Sequence, residues 1–138
     1  MAAEDRLDIA EATYTLRRHP DRANSSLRAW DAADLLLLEA AAEYGHSQRV
    51  LLIGDSQGAL ATVLAPRLRT SLLDRAASRL ATANNLARND LDPAGLTVLG
   101  DLDDAPADHD LVIMKLPRAN DLLELQLRRL ATLATAGA

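Results

Sequence analysis

The residues whose types and spacing could do chemistry are concentrated in one glycine-framed segment, Gly54-Asp55-Ser56-Gln57-Gly58. It matches the G-x-S-x-G pattern, in which a sharp turn between a strand and a helix exposes a nucleophilic serine. A hydrolase would use Ser56 as the nucleophile, with a later acid and then His109 as the base. The acids in the required order are Asp101, Asp103 and Asp104. The pattern is short, and here it follows the first predicted strand, whereas several strands precede the serine turn of an α/β-hydrolase.

The same segment also suits a nucleotide-type ligand. Glycines directly after a first strand let a ligand approach the backbone and the N-terminus of the next helix. Asp74, at the end of the second predicted strand, would then accept hydrogen bonds from ribose hydroxyls, and Asp101, after the third, would meet an adenine amine. S-adenosylmethionine sites have this arrangement. In the structural alternative the glycines only permit a tight turn, Asp55 or Ser56 caps the helix, and the other two aspartates are caps or loop residues.

The elements that must position these residues follow from the runs and periods of apolar residues. Short apolar runs predict strands at 49–53, 70–73, 96–99 and 111–114. Helical spacing, or a low content of Pro and Gly, predicts helices at 4–18, 30–44, 59–65, 75–89 and 119–134. Strands that alternate with helices predict a Rossmann-like, mostly parallel α/β sheet flanked by helices. Because no strand follows the last helix, we expect residues 1–138 to form one domain of a longer chain, with a sheet truncated after its fourth strand.

Composition excludes several classes of site. The chain has 138 residues and no cysteine, which excludes disulfide scaffolds and thiolate metal centres. Its three histidines, His19, His46 and His109, lack metal-ligand spacing, so we predict no metal site and place all three on surface loops. The sequence has neither a secretory signal nor an apolar run of membrane-spanning length, which favours a cytoplasmic protein without a membrane partner.

Charge restricts any contact with nucleic acid to particular places. The net charge is −5, whereas a domain that holds nucleic acid by itself is usually basic. Basic side chains are concentrated in two places. One precedes the predicted strand 49–53, and the other follows the predicted strand 111–114, at the end of the sheet where open sheets bind ligands. The candidates for contacts with RNA phosphates are Arg17, Arg18, Arg22, Arg28, Lys115 and Arg118. In the alternative these side chains are solvated or pair with nearby carboxylates, which for the last two are those of the loop 101–110. Trp30 is expected to pack in the core rather than to stack on a base.

Several segments of the chain resemble two-domain ribosomal RNA guanine-N2 methyltransferases. The most specific are Arg28-Ala29-Trp30-Asp31-Ala32-Ala33-Asp34 and Lys115-Leu116-Pro117-Arg118. The resemblance also covers 54–60, 74–89 and 122–127. It implies two class I methyltransferase folds in tandem, of which the C-terminal copy binds S-adenosylmethionine and methylates a guanine amine. The N-terminal copy, which this chain resembles, assists folding and the engagement of RNA.

The chain departs from the pattern of these enzymes at the positions that would do chemistry. Leu52 stands where a working cofactor site has an acidic residue, and Ser56 stands where it has its middle glycine. After the fourth strand, Lys115-Leu116-Pro117-Arg118 replaces an Asn-Pro-Pro-aromatic segment that orients the target amine, and Lys115 has no acceptor to offer that amine. The resemblance therefore implies a vestigial cofactor site that has no catalytic residue and binds no cofactor. Its positions are Gly54, Asp55, Ser56, Gly58, Asp74 and Asp101.

The expected partners follow from the same resemblance. They are ribosomal RNA and a C-terminal methyltransferase domain in the same protein, which would hold the S-adenosylmethionine. A third interpretation is a pure interaction module. A truncated sheet leaves an edge strand uncovered, which invites pairing with a second copy of the chain.

Overall fold

The computed structural model describes residues 6–9, 12–19, 28–45, 49–73, 75–100 and 109–115, together with 124, 125, 127, 128 and 131. The strands are β1 (Arg6–Ile9), β2 (Ala12–Thr15), β3 (Val50–Ile53), β4 (Leu68–Leu72), β5 (Thr97–Leu99) and β6 (Leu111–Met114). The helices are α1 (Ala32–Glu43), α2 (Ala59–Leu64) and α3 (Ala76–Arg88), with a short 3-10 helix at Pro93–Gly95.

Strands β3 to β6 form one parallel sheet in the order β5-β4-β3-β6. The central strand β3 is buried on both faces, as its unbroken apolar sequence predicts. Val50 and Leu52 belong to a cluster with residues of α1 and α2, whereas Leu51 and Ile53 pack on the other face with Leu72. This parallel sheet with flanking helices confirms the predicted Rossmann-like α/β class. Self-association through an edge strand stays a prediction.

The helix predicted at 4–18 is wrong, because this region forms an antiparallel hairpin of β1 and β2. Its side chains alternate: Leu7 is buried, whereas Arg6 and Asp8 on either side are exposed. β2 contains Thr13, Tyr14 and Thr15, which are residue types that favour strands. A period of two and these β-formers were visible in the sequence, and they outweigh the absence of Pro and Gly.

The other predicted elements that fall on described residues are confirmed, with shifted ends. The second strand of the sheet begins earlier than predicted, at Leu68 rather than at residue 70, and the 3-10 turn at Pro93–Gly95 was not predicted. Of the predicted helix 119–134, the structure describes helical residues at 124, 125, 127, 128 and 131, and the others lie outside the described residues. In the part of the chain that is described, no helix is long and apolar enough to cross a membrane.

The hairpin covers the start of α2 through a second apolar cluster. Trp30 is buried there with Leu7, Leu16 and Ala59. This confirms the prediction that Trp30 is a core residue. The cluster joins the N-terminal part of the chain to the helix that follows the glycine-framed segment.

Candidate functional site

The candidate site lies at the carboxyl end of the parallel sheet, where the glycine-framed segment follows β3 and Lys115 follows β6. Gly54 has a φ of 87°, in the left-handed region that side chains disfavour. A Cβ at Gly54 would lie 2.9 Å from the carbonyl oxygen of Lys115. The amide of Lys115 donates to the carbonyl of Ile53 at 2.9 Å, which continues the strand pairing up to this point. Gly54 therefore lets the backbone after β6 approach the turn closely.

Gly58 has a different neighbour. Its φ is 79°, and it is the N-cap residue of α2. A Cβ at this position would lie 2.5 Å from the Cα of Thr82 on α3. The second glycine is thus required by the contact between two helices of the chain itself, a packing role beyond the tight turn of the structural alternative.

Asp55 caps α2 from inside the core. Its fully buried carboxylate accepts hydrogen bonds from the amides of Leu60, at 3.2 Å, and Ala61, at 2.9 Å. These amides belong to the first turn of the helix, where backbone donors have no partner within the helix. Burial raises the pKa of the Asp55 carboxyl to about 6, against the opposing effect of the two amides. The backbone N-cap is Gly58, but the side-chain capping expected of Asp55 or Ser56 comes from Asp55.

Lys115 forms an ion-paired cluster with the start of α1. Its Nζ lies 3.0 Å from Oδ1 of Asp34 and 3.3 Å from Oδ2 of Asp31. The two aspartates also cap α1 reciprocally: Asp31 accepts from the amide of Asp34, and Asp34 accepts from the amide of Asp31. The pattern Asp-x-x-Asp before an apolar run is close to the capping box, so this helix start was open to prediction. The pairing of Lys115 with these aspartates could not be predicted, because Lys115 lies 84 residues from Asp31 in the sequence.

The charges in this cluster shift one another's protonation. Burial raises the pKa of Asp34, although Lys115 and the amide of Asp31 oppose the rise. The hydrogen bond from the amide of Asp34 lowers the pKa of Asp31. Burial alone would lower the pKa of Lys115, but its hydrogen bonds and ion pairs with the two carboxylates outweigh that effect and raise it. A buried carboxylate is costly unless it is paired, so Lys115 compensates Asp34.

Gln57, the other buried polar residue of the glycine-framed segment, contacts both the N-terminal part of the chain and α3. The side-chain oxygen of Gln57 accepts a hydrogen bond from the backbone amide of His19 at 2.7 Å. The backbone carbonyl of Gln57 accepts one from the side chain of Asn85 on α3, also at 2.7 Å. His19 lies in the loop after β2, as predicted, and is half-buried there. Ser56 is exposed. The roles of Gln57 and Asn85 were missed, because single amides carry no sequence pattern.

The geometry does not support the hydrolase interpretation. Ser56 follows the carboxyl end of β3, whereas His109 precedes the amino end of β6, and these two strands are parallel and paired in register. The two residues therefore lie at opposite ends of the sheet. His109 lies in the loop directly before β6, as predicted, but it is half-buried and hydrogen-bonds through Nε2 to Oγ1 of buried Thr70 at 2.9 Å.

The predicted RNA-contact residues are only partly described. Arg17 and Arg28 are exposed and Arg18 is half-buried. Arg18 donates to the carbonyl of Arg28 at 3.2 Å, and the guanidinium of Arg28 lies 5.6 Å from the centre of the Trp30 ring. The structure therefore brings Arg18 and Arg28 together beside Trp30. Among the residues predicted for the site or its alternatives, those outside the described residues are Arg22, His46, Asp74, Asp101, Asp103, Asp104 and Arg118.

A parallel sheet with a glycine turn after its central strand defines a Rossmann-like domain. Comparison with known sequences identifies the particular family. The chain belongs to the RLMG N-terminal domain family, whose sequence pattern matches residues 4–138. This confirms the resemblance to the N-terminal domain of ribosomal RNA methyltransferases.

Three similar proteins carry the name ribosomal RNA large subunit methyltransferase G. The relative from Streptomyces avermitilis is 40% identical over 120 residues, which are 86% of this chain and 32% of that protein. The relative from Streptomyces griseus is 35% identical over 138 residues, covering 96% of this chain and 36% of that protein. The relative from Serratia proteamaculans is 39% identical over 126 residues, covering 90% and 33%. The chain therefore spans about a third of the length of these relatives.

Proposed function

We propose that this chain is the non-catalytic N-terminal domain of a large-subunit ribosomal RNA methyltransferase. In this proposal a C-terminal domain of the same cytoplasmic protein binds S-adenosylmethionine and transfers its methyl group to the exocyclic amine of a guanine. The N-terminal domain assists folding and supplies contacts to ribosomal RNA. The names of the relatives, and the fraction of their length that the chain covers, support this division of labour.

The ion pair between Lys115 and Asp34 is the observation that carries the loss of catalysis. Lys115 stands at the first position after the last strand of the sheet, where an amino-methylating enzyme needs a hydrogen-bond acceptor for its target amine. An ammonium group offers only donors. Here its donors are directed at Asp31 and Asp34, which belong to the capping of α1. The residue thus stabilises the fold at the place where a catalyst would hold its substrate.

The glycine turn at the same carboxyl end of the sheet leaves little room for a cofactor. The methionine moiety of a bound cofactor requires the backbone of the glycine turn to be bare, but Ser56 carries a Cβ and a hydroxyl there. Asp55 and Gln57, on either side of it, already hold α2 and the N-terminal segment. The side chains of Asp55 and Gln57 are therefore engaged in packing rather than free for a ligand.

Contact with RNA is assigned to the basic edge formed by Arg17, Arg18 and Arg28. Arginine binds phosphate oxygens with paired N–H donors, and two of these arginines are exposed. The rest of the domain is acidic, with a net charge of −5 for the whole chain. Phosphate contacts confined to one edge would position the RNA without reading its sequence.

The binding of a ribosomal RNA fragment by the longer protein tests this assignment. The three arginines are replaced together by glutamine, which keeps the length of the side chains. Each lost phosphate contact should lower the slope of log affinity against log salt by about 0.7–0.9. Arg49→Gln is the matched control, because Arg49 is an exposed arginine before the amino end of β3, at the opposite end of the sheet. If the triple variant binds RNA like the control, the basic edge does not contact RNA.

A further inference from the structure

Helix α1 exposes apolar side chains that the fold of this domain does not use. Of its twelve residues only Asp34, Leu38 and Ala41 are buried. Leu35 is 40% exposed and Leu36 is 66% exposed. Four consecutive leucines, 35–38, turn around the helix by about 100° each, so they cannot all face the sheet.

The exposed residues form a continuous apolar face. Ala32, Leu36 and Ala40 are spaced by four residues and lie along one line of the helix, and Leu35 lies next to it. A single exposed leucine is ordinary on a protein surface, but a connected apolar patch marks a place of contact. We call these four residues the outer face of α1.

The charge of α1 excludes RNA as the occupant of this face. The helix contains no lysine or arginine, and the exposed Glu39 and Glu43 lie within the arc of the outer face, towards the C-terminal end of the helix. Phosphates would be repelled by these carboxylates. A second copy of the chain is disfavoured for a related reason, because the same two glutamates from each copy would enter one interface without a basic side chain from either helix.

We propose that the outer face of α1 is the docking surface for the part of the longer protein that follows residue 138. The relatives are about three times as long as the matched region, and the family is that of an N-terminal domain. A helix of 12 residues is about 18 Å long and about 10 Å wide. One face of such a helix can form part of the contact area between two domains of one chain. This inference rests on the part of the proposed function that places a further domain in the same protein.

The docking also has a structural consequence for the site. The start of α1 is fixed to Lys115 at the carboxyl end of β6 through Asp31 and Asp34. A domain that packs on the outer face of α1 is thereby held beside this end of the sheet. Helix α1 would then connect the two domains as one rigid element, with its buried side packed on this domain and its outer face packed on the other.

Thiol labelling of the longer protein tests the docking surface. Residues 1–138 contain no cysteine, and any cysteines elsewhere in the protein are replaced beforehand. Single variants Leu36→Cys and Leu80→Cys are compared, because Leu80 on α3 is a leucine of similar exposure, 51%, outside the outer face. Each rate of reaction with a maleimide is divided by the rate for the same variant unfolded in urea, which removes differences in intrinsic thiol reactivity. Without docking, position 36 should react at least as fast as position 80. With docking, we expect it to react about tenfold more slowly.

The outcome identifies the occupant as well. A photo-crosslinker attached at position 36 should join residues that follow position 138 of the same molecule. Equal labelling of positions 36 and 80 would overturn the proposal, as would crosslinks to a second copy of residues 1–138 or protection that requires RNA. Melting temperatures of both variants within a few degrees of the parent protein exclude unfolding as the cause. Neither readout depends on methyl transfer or on RNA affinity, so a failure here leaves the proposed function to its own test.

Discussion

Gly54 and Gly58 both have positive φ, and at each of them the space that a side chain would need is filled by another part of the chain. At Gly54 the neighbour is the backbone of Lys115, and at Gly58 it is the backbone of Thr82. The motif that most suggested chemistry thus has a sufficient explanation in packing. Asp55, between them, serves the same end by capping α2.

Replacing Gly58 by alanine should destabilise the domain strongly. The new Cβ would meet the Cα of Thr82 at 2.5 Å, and a left-handed φ of 79° adds strain. Together these effects should cost roughly 2–5 kcal/mol of unfolding free energy, measured by urea denaturation. Gly95→Ala is the control, because nothing lies within 4 Å of a Cβ at Gly95 and its φ is not in the left-handed region. Equal losses for both variants would contradict the packing role of Gly58.

Asp55 should make stability depend on pH in an unusual direction. Its pKa is about 6 in the folded protein and 3.8 for the unperturbed side chain, so the folded state holds a proton that the unfolded state releases between these values. The contribution of this group is therefore fully present below about pH 4 and is lost as pH rises through about 6, by roughly 3 kcal/mol.

Asp55→Asn isolates this effect. The amide carries no titrating proton and can still accept a hydrogen bond from the amides of α2. The variant should therefore gain stability relative to the parent as pH rises from about 4 to about 7. Unfolding free energies from urea titrations at both ends of this range provide the comparison. A difference between the two proteins that stays constant with pH would show that the Asp55 carboxyl does not titrate in this way.

Among the elements, α3 holds the N-terminal segment with side-chain amides rather than with apolar contacts. Asn89 donates to the carbonyl of Thr15 and accepts from its amide, both at 2.8 Å. One turn earlier, Asn85 forms the same pair of bonds with Arg17, at 2.8 and 2.9 Å. Asn85 and the C-cap residue Asn89, spaced by four residues, thus imitate the hydrogen bonds of a neighbouring strand. They fix the chain on its way from β2 to the arginines and Trp30.

Alanine at these two positions should release the segment locally. Asn85→Ala removes the bonds of its side chain to four polar groups, the amide and carbonyl of Arg17, the carbonyl of Gln57 and the guanidinium of Arg88. It should cost about 1–3 kcal/mol. The more exposed Asn89→Ala should cost less. Amide hydrogen exchange at Thr15 and Arg17 should accelerate in the corresponding variant. Asn84→Ala, an exposed asparagine on the same helix, should leave both amides protected. Faster exchange in all three variants would mean that the whole helix is weakened instead.

Prediction from the sequence succeeded where local patterns and burial agree. The run at β3, continuous in apolar residues and followed by Gly54, could only be a doubly buried strand in an alternating α/β chain. It failed at β1 and β2, because the absence of Pro and Gly permits a helix but does not require one, whereas the alternation of Leu7 with its polar neighbours favours a strand. The cluster of Lys115 with Asp34 was out of reach, because strand order and register bring these distant residues together and no local pattern records that pairing.

At the scale of the whole molecule, the distribution of charge is the main constraint. The chain carries a net charge of −5, which opposes the approach of RNA at long range. A basic edge beside Trp30 can act only when something else brings the RNA within a few Debye lengths. A further domain of the same protein would do so, since it raises the local concentration of RNA at this edge without any new contact.

The proposed division, with a cofactor-binding C-terminal domain and a non-catalytic N-terminal domain, predicts how many cofactor molecules the longer protein binds. If residues 1–138 have no working site, calorimetric titration with S-adenosylmethionine should give one equivalent per chain rather than two. Titration of residues 1–138 alone should give no saturable heat. The physical reason is that the polar groups of Lys115, Asp55 and Gln57 are already paired with other groups of this domain.

Lys115→Met distinguishes a structural lysine from a ligand-binding one. Removing the ammonium leaves the buried Asp34 carboxylate without its ion pair, so the variant should lose stability by about 3–5 kcal/mol at neutral pH. Because burial already raises the pKa of Asp34, protonation of that carboxyl at lower pH should restore part of the loss. The affinity of the longer protein for S-adenosylmethionine should not change. Two equivalents of cofactor in the parent protein, one of them lost in Lys115→Met, would instead mean that this end of the sheet still binds cofactor.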